Sequence, residues 1–265
     1  MTPLPRLVAT DLDGTLVRSD GSLSERTRSV LLRAEDAGVV VVFVTGRPLR
    51  WAREVFAHVG SHGLAIVSNG ALVWDVAADR PQLVRGIEPS VGLEAASLIR
   101  DAIPGTAYAV ETLDGIGLEP AFLERHPVPR GARRGELAEI FEQAGLKILA
   151  RHEELGAQEF WDRARTAAGD RLEITWSSPT SMLEMSAAGV TKATTLAVLA
   201  EQHDLGPADV VAFGDMPNDI PLLEWAGTSY AMANAHPTVI AAADHVAPTN
   251  DDDGVAQVLE QLLGG

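Results

Sequence analysis

The chain has 265 residues and no cysteine. That excludes a disulfide framework, a thiol nucleophile and a thiolate metal site. Lysine is nearly absent: Lys147 and Lys192 are the two present, and the other cations are arginine. Positive charge is scarce overall, with 21 Lys+Arg against 37 Asp+Glu and a net charge of −16. Such acidity argues against nucleic acid or anionic lipid as a main partner. No apolar run reaches the roughly 18 residues that a membrane span needs. Met1 to Arg6 lacks a basic region followed by an apolar core, so no signal peptide is expected and a cytoplasmic setting is the expectation. What is present is ordinary globular composition, 46% hydrophobic and 22% charged, in a length that fits one large or two modest domains.

The apolar patterning has two styles. Arg6 to Thr10 is a short apolar run, and Val39 to Val44 is an unbroken β-branched and aromatic run, as expected of strands buried on both faces. Helical spacing over Ser24 to Ala37 separates them, closed by Gly38. A helix over Leu49 to Val59 and a strand over Ala65 to Val67 continue the alternation, which predicts a parallel sheet covered by helices. From about Gln82 the pattern changes. Strands are expected at Leu83–Ile87, Tyr108–Thr112, Gly115–Leu118, Lys147–Ala150, Leu172–Trp176 and Ser181–Met185. Helices are expected at Ser90–Ala102, Gly135–Ala144 and Ala157–Ala168. After Gly189 the buried-strand style returns, with strands at Val210–Phe213 and Ser229–Met232. Helices from Thr191 to His203, Asp219 to Trp225 and Gly254 to Leu263 accompany them. The fold class is therefore α/β: a Rossmann-like core over 1–81 and 189–265, split by an inserted α+β domain over 82–188.

In an open parallel sheet, ligands bind beyond the carboxyl ends of the strands. The residues that follow four of the predicted core strands are Asp11-Leu12-Asp13-Gly14-Thr15, Thr45-Gly46-Arg47, Ser68-Asn69-Gly70 and Gly214-Asp215-Met216-Pro217-Asn218-Asp219. All are polar, and all four contain glycine, which lets a ligand approach the backbone. Asp11, Asp13, Asp215 and Asp219 would crowd negative charge that repels itself without a cation. Oxygen ligands with no His or Cys suit Mg²⁺. Lys192, at the start of a helix, adds an anion site. Carboxylates, Mg²⁺, one ammonium and one hydroxyl describe a phosphoryl-transfer centre.

Asp11 to Thr15, Val44 to Arg47, Gly189-Val190-Thr191-Lys192 and Gly214 to Asp219 resemble the four motifs of the haloacid dehalogenase superfamily in order and spacing. The insert between the second and third resembles the C2B cap of the Cof-type phosphatase branch. Ala231 to Pro237 and Asn250 to Val255 resemble that branch's C-terminal signature, with Ala233 where the branch commonly has glycine. The resemblance implies a Mg²⁺-dependent phosphatase acting on small phosphomonoesters, sugar phosphates or related metabolites, as a monomer or homodimer. It implies Asp11 as nucleophile and Asp13 as acid–base. Asp11, Asp215 and the Asp13 backbone carbonyl would hold the metal, with Asp219 as a ligand or a support. Thr45 and Lys192 would hold the phosphoryl group, and Gly46, Arg47, Asn69 and Asn218 would contact phosphate or substrate. A phosphomutase and a receiver-like protein that keeps its phospho-Asp share these residues and stay open at this point. One further feature is a basic stretch, Arg125, His126, Arg130, Arg133 and Arg134, in an otherwise acidic chain. It reads either as a solvated loop or as a lip that attracts anionic substrate.

Overall fold

The computed structural model describes residues 4–59, 63–175 and 182–264. It divides into two compact units, Met1–Arg47, Trp51–Leu83 and Lys192–Gly265 in one, Pro48–Arg50 and Val84–Thr191 in the other. Trp176 and Ser181, the ends of two expected strands, lie outside the described residues.

The first unit is built on an eight-stranded sheet. Its strands are β1 (Leu7–Asp11), β2 (Val40–Val44), β3 (Leu64–Val67), β4 (Leu72–Asp75), β5 (Arg80–Val84), β12 (Val210–Gly214), β13 (Thr228–Met232) and β14 (His245–Ala247). The order is β14-β13-β12-β1-β2-β3-β4-β5. The pairs from β14 to β3 are parallel and β3–β4 is antiparallel. The central strands are buried along their whole length, since helices cover both faces of a parallel sheet. The helices are α1 (Glu25–Asp36), α2 (Leu49–Val59), α6 (Lys192–Gln202), α7 (Ile220–Trp225), α8 (Pro237–Ala242) and α9 (Gly254–Leu262). Ser24 caps α1, its hydroxyl accepting from the Thr27 N–H at 3.0 Å.

The second unit carries a six-stranded sheet of order β10-β11-β9-β6-β7-β8. Its strands are β6 (Ala107–Thr112), β7 (Gly115–Leu118), β8 (Arg133–Arg134), β9 (Lys147–Arg151), β10 (Leu172–Thr175) and β11 (Met182–Ala187). All pairs are antiparallel except β7–β8. Helices α3 (Pro89–Ala102), α4 (Leu137–Ile140) and α5 (Ala157–Ala168) supply the main core, in which Ile99, Phe141 and Phe160 meet Tyr108, Ile148 and Leu183 of the sheet. The alternate residues Ala109, Leu118 and Leu149 form a second, smaller cluster with Phe122.

Two expectations are corrected. The helix read over Gly135–Ala144 is only Leu137–Ile140. The chain must leave the helix after Ile140 because Gly145 pairs both ways with Ile87, at 2.7 and 2.9 Å. The strand read over Leu83–Ile87 is instead Arg80–Val84, whose residues are mostly exposed and show no apolar alternation. Among the described residues no helix is long and apolar enough to cross a membrane.

Candidate active site

The site grows out of β1. Asp11 ends that strand and is buried, while the polypeptide turns at Asp13-Gly14. Gly14 takes φ 73°, and a Cβ there would lie 2.3 Å from Asp215 Oδ2. A side chain is thus excluded both by backbone conformation and by the carboxylate packed against it. Thr15, in the same turn, donates its hydroxyl to Asp215 Oδ1 at 3.0 Å.

The third motif closes the cluster. Lys192 opens α6 and is buried, with its Nζ 2.6 Å from Asp11 Oδ1 and 2.6 Å from Asp219 Oδ1. Asp219 is fully buried. Its Oδ2 accepts from the backbone N–H groups of Asp215 and Met216, at 3.2 and 3.1 Å. One ammonium therefore bridges two carboxylates, and the turn after β12 fixes the second. Burial alone would lower the Lys192 pKa, but Asp11 and Asp219 more than offset it and raise it. Burial pushes the Asp11 carboxyl well up, Lys192 opposes this, and Asp219 and Asp215 add to it. Asp215 is pushed up to about 6, first by burial and next by Asp219.

Those shifts report charge that the protein does not itself neutralise: three buried carboxylates face one lysine. Asp11, Asp215 and Asp219 each offer an oxygen, and the three lie within 4.8 Å of one another. Such an all-oxygen donor set, short of positive charge, fits a hard divalent cation.

Beside this cluster lies the end of β2. Thr45 is buried, and its hydroxyl oxygen accepts from the Arg47 N–H at 3.0 Å. Its carbonyl accepts from the Asn69 N–H at 3.2 Å. Asn69 sits in the left-handed region, φ 57°, in the turn after β3. Gly46 permits this approach, since a Cβ there would come within 2.8 Å of Asn69 Oδ1. Arg47 reaches across to Asp13 with two hydrogen bonds, Nε to Oδ2 at 2.8 Å and Nη2 to Oδ1 at 2.5 Å. The fork of a guanidinium on a carboxylate fixes both side chains. Asn218 lies half-buried in the turn between Asp215 and Asp219.

The first, third and fourth motifs thus converge through direct side-chain contacts, and the second joins through Arg47. Three residues of the motifs act as supports, a role that spacing alone does not assign. Thr15 holds Asp215. Asn234 donates to the Gly14 carbonyl at 2.8 Å and accepts from the Asn250 N–H at 3.0 Å. Asn250 in turn donates to the Val17 carbonyl at 2.9 Å. The C-terminal stretches that carried the family resemblance therefore brace the turn after β1. The basic stretch of the second unit is exposed. Arg133 pairs with Glu142 at 2.7 Å and Arg125 with Glu153 at 3.7 Å, while Arg130 and Arg133 line a cavity of about 180 Å³ with Thr112, Asp114 and Gln143.

A parallel sheet with polar turns at its strand ends, and an Asp–Lys–Asp cluster among them, defines a hydrolase of the phosphoryl-transfer type. The chain belongs to the haloacid dehalogenase-like hydrolases, whose family profile matches residues 8–259, and within them to the Cof-type phosphatase branch. It is 31% identical over 260 residues to the 5-amino-6-(5-phospho-D-ribitylamino)uracil phosphatase YcsE of Bacillus subtilis, covering 97% of this chain and 96% of that protein. It is 28% identical to the pyridoxal phosphate phosphatase YbhA of Escherichia coli, covering 97% and 98%. Among solved structures, BT1666 of Bacteroides thetaiotaomicron, a phosphatase of this superfamily, superposes with a TM-score of 0.83 at 25% identity, covering 98% and 95%.

Proposed function

We propose that the chain hydrolyses small phosphomonoesters through an aspartyl-phosphate on Asp11, with Mg²⁺ held by Asp11, Asp215 and the Asp13 backbone carbonyl, and Asp219 as a further ligand or a support. The observation that carries this reading is the Asp11 carboxylate, buried at a strand end, with Oδ1 held by Lys192 and two further carboxylates beside it. Mg²⁺, when bound, supplies charge neutralisation that lets an anionic phosphoryl group approach an anionic nucleophile.

With Oδ1 engaged by Lys192, Asp11 attacks phosphorus through Oδ2. The Asp11–phosphorus bond forms as the bond to the ester oxygen breaks, and Asp13 gives that oxygen a proton. Water then attacks phosphorus, Asp13 takes its proton, and Asp11 is regenerated with release of inorganic phosphate. Thr45 and Lys192 contact the non-bridging oxygens as charge builds on them. Arg47 is the exchangeable element. It holds Asp13 with two hydrogen bonds, and an incoming phosphoryl group competes for the same guanidinium. The unit 84–191 selects the substrate, which is a small phosphorylated metabolite of the kind on which the relatives act.

The test is phosphate release from a panel containing 5-amino-6-(5-phospho-D-ribitylamino)uracil, pyridoxal phosphate and sugar phosphates, with Mg²⁺ or with EDTA. Release that needs Mg²⁺ and is lost in Asp11→Asn supports the reading. Equal release by wild type and Asp11→Asn, or isomerisation without net phosphate, overturns it.

A further inference from the structure

Among the described residues of the second unit, buried arginine, lysine and carboxylate side chains come in pairs, with one exception. Lys147 is 2.5 Å from Glu184, both on the sheet. Glu119 takes a two-pronged contact from Arg100, at 2.6 and 2.8 Å, and also accepts from the Tyr108 N–H. Arg151, at the end of β9, is 4% exposed and has no carboxylate partner among the described residues. Its Nε and Nη1 make no hydrogen bond and are shielded from solvent. Nη2 meets only the thioether of Met182, at 3.3 Å, and the guanidinium lies 5.5 Å from the centre of the Phe122 ring.

A thioether is a weak acceptor and an aromatic face a partial substitute for an anion. Neither compensates the desolvation of a guanidinium, which keeps its charge at any physiological pH. The nearby carboxylates are engaged elsewhere. Glu124 accepts from the N–H groups of Arg125 and His126, and Glu153 faces Arg125. Arg125 adds positive charge close to Arg151, while Glu153 and Glu124 act on it at a distance without a hydrogen bond to its guanidinium. A strand end with a buried, unanswered fork of N–H donors and a neighbouring arginine has the make-up of an oxyanion site.

We propose that Arg151 is the anchor of an oxyanion subsite in the second unit, and that its ligand is a carboxylate or phosphate group of a small molecule. The protein tolerates an uncompensated buried charge there because the ligand supplies the counter-charge. Two sources share this chemistry: a second anionic group on the phosphomonoester itself, or a separate anion.

The test compares wild type with Arg151→Met in thermal melts, in sodium sulfate and in sodium chloride of equal ionic strength, with EDTA present. Sulfate bound at the proposed active site contributes equally to both proteins, so their difference reads Arg151. The expected result is a sulfate increment in wild type that shrinks by about 2–4 °C in Arg151→Met. In chloride, Arg151→Met melts at or above wild type, because an apolar side chain replaces an unpaired ion. A lower melting temperature with the full sulfate increment retained makes Arg151 structural and overturns the proposal. Should Arg151→Met not fold, Arg151→Gln decides by the same increment. This arm needs no turnover, so it stands or falls separately from the phosphatase reading. A second arm, which rests on that reading, separates the sources. If the oxyanion is on the substrate, Arg151→Met lowers kcat/KM for 3-phosphoglycerate relative to glycerol 3-phosphate by about tenfold or more. If it is a separate anion, that ratio holds while the sulfate increment is lost.

Discussion

Asp215 is the residue on which pH and metal meet. Its folded-state pKa is about 6 against 3.8 for the free side chain, raised by burial and by Asp219. Between those values the folded state binds a proton that the unfolded chain does not, so this group makes the metal-free protein less stable as pH rises from about 4 to 6. In EDTA the wild type should therefore melt higher at pH 5 than at pH 7. Asp215→Asn should flatten that dependence and be the more stable protein at pH 7. Mg²⁺ should reverse the order, raising the wild-type melting temperature more at pH 7 than at pH 5 and leaving Asp215→Asn nearly unmoved. Lys192 has the opposite character, because it supplies the positive charge between two carboxylates. Lys192→Met leaves Asp11 and Asp219 uncompensated, at a cost of about 3–5 kcal/mol, which melts in EDTA at pH 7 would read. Its kcat should fall by at least about 10², the usual loss for one stabilising donor, even where Mg²⁺ restores the fold.

The turn after β1 is the element on which the site is assembled. It places Asp11 and Asp13, packs Gly14 against Asp215, and is held from outside by Asn234 and Asn250. Gly14→Ala meets both a φ of 73° and a carboxylate 2.3 Å away. It should cost about 1–3 kcal/mol and displace Asp215, so the Mg²⁺-dependent rise in melting temperature should disappear along with activity. Retention of that rise would mean that Asp215 is not a metal ligand. The same element shows what was readable in advance. Asp11, Asp215 and Asp219 stood out because ionisable residues just beyond apolar strands have no packing reason to be there, and Lys192 because it is one of two lysines and opens a helix. Thr15, Asn234 and Asn250 lay within the motifs without a legible role, since their work is to hold a carboxylate or a carbonyl in place, and no spacing marks that. The same contrast holds for the fold. β1, β2 and β12, buried on both faces, are continuous apolar runs and were legible. β5 is a mostly exposed strand without apolar alternation, and α8 and β14 are short. In each of these, tertiary contacts rather than local pattern set the conformation.

At the scale of the whole molecule, two units with separate cores divide the chemistry unequally. Asp11, Thr45, Lys192, Asp215 and Asp219 all belong to the unit built on the eight-stranded sheet. The six-stranded unit has its own core around Phe141, Phe160 and Tyr108, and it holds Arg151. Units with independent cores unfold as separate cooperative blocks unless a large apolar interface couples them. A ligand stabilises only the block whose native state binds it. Calorimetry of the intact chain should therefore resolve two transitions. Mg²⁺ should raise one of them, the one that Asp215→Asn makes insensitive to metal. The sulfate increment assigned to Arg151 should appear in the other, and Arg151→Met should remove it there without touching the first. A single transition that both ligands raise together would show that the two units unfold as one, with the metal cluster and Arg151 thermodynamically linked despite their separate cores.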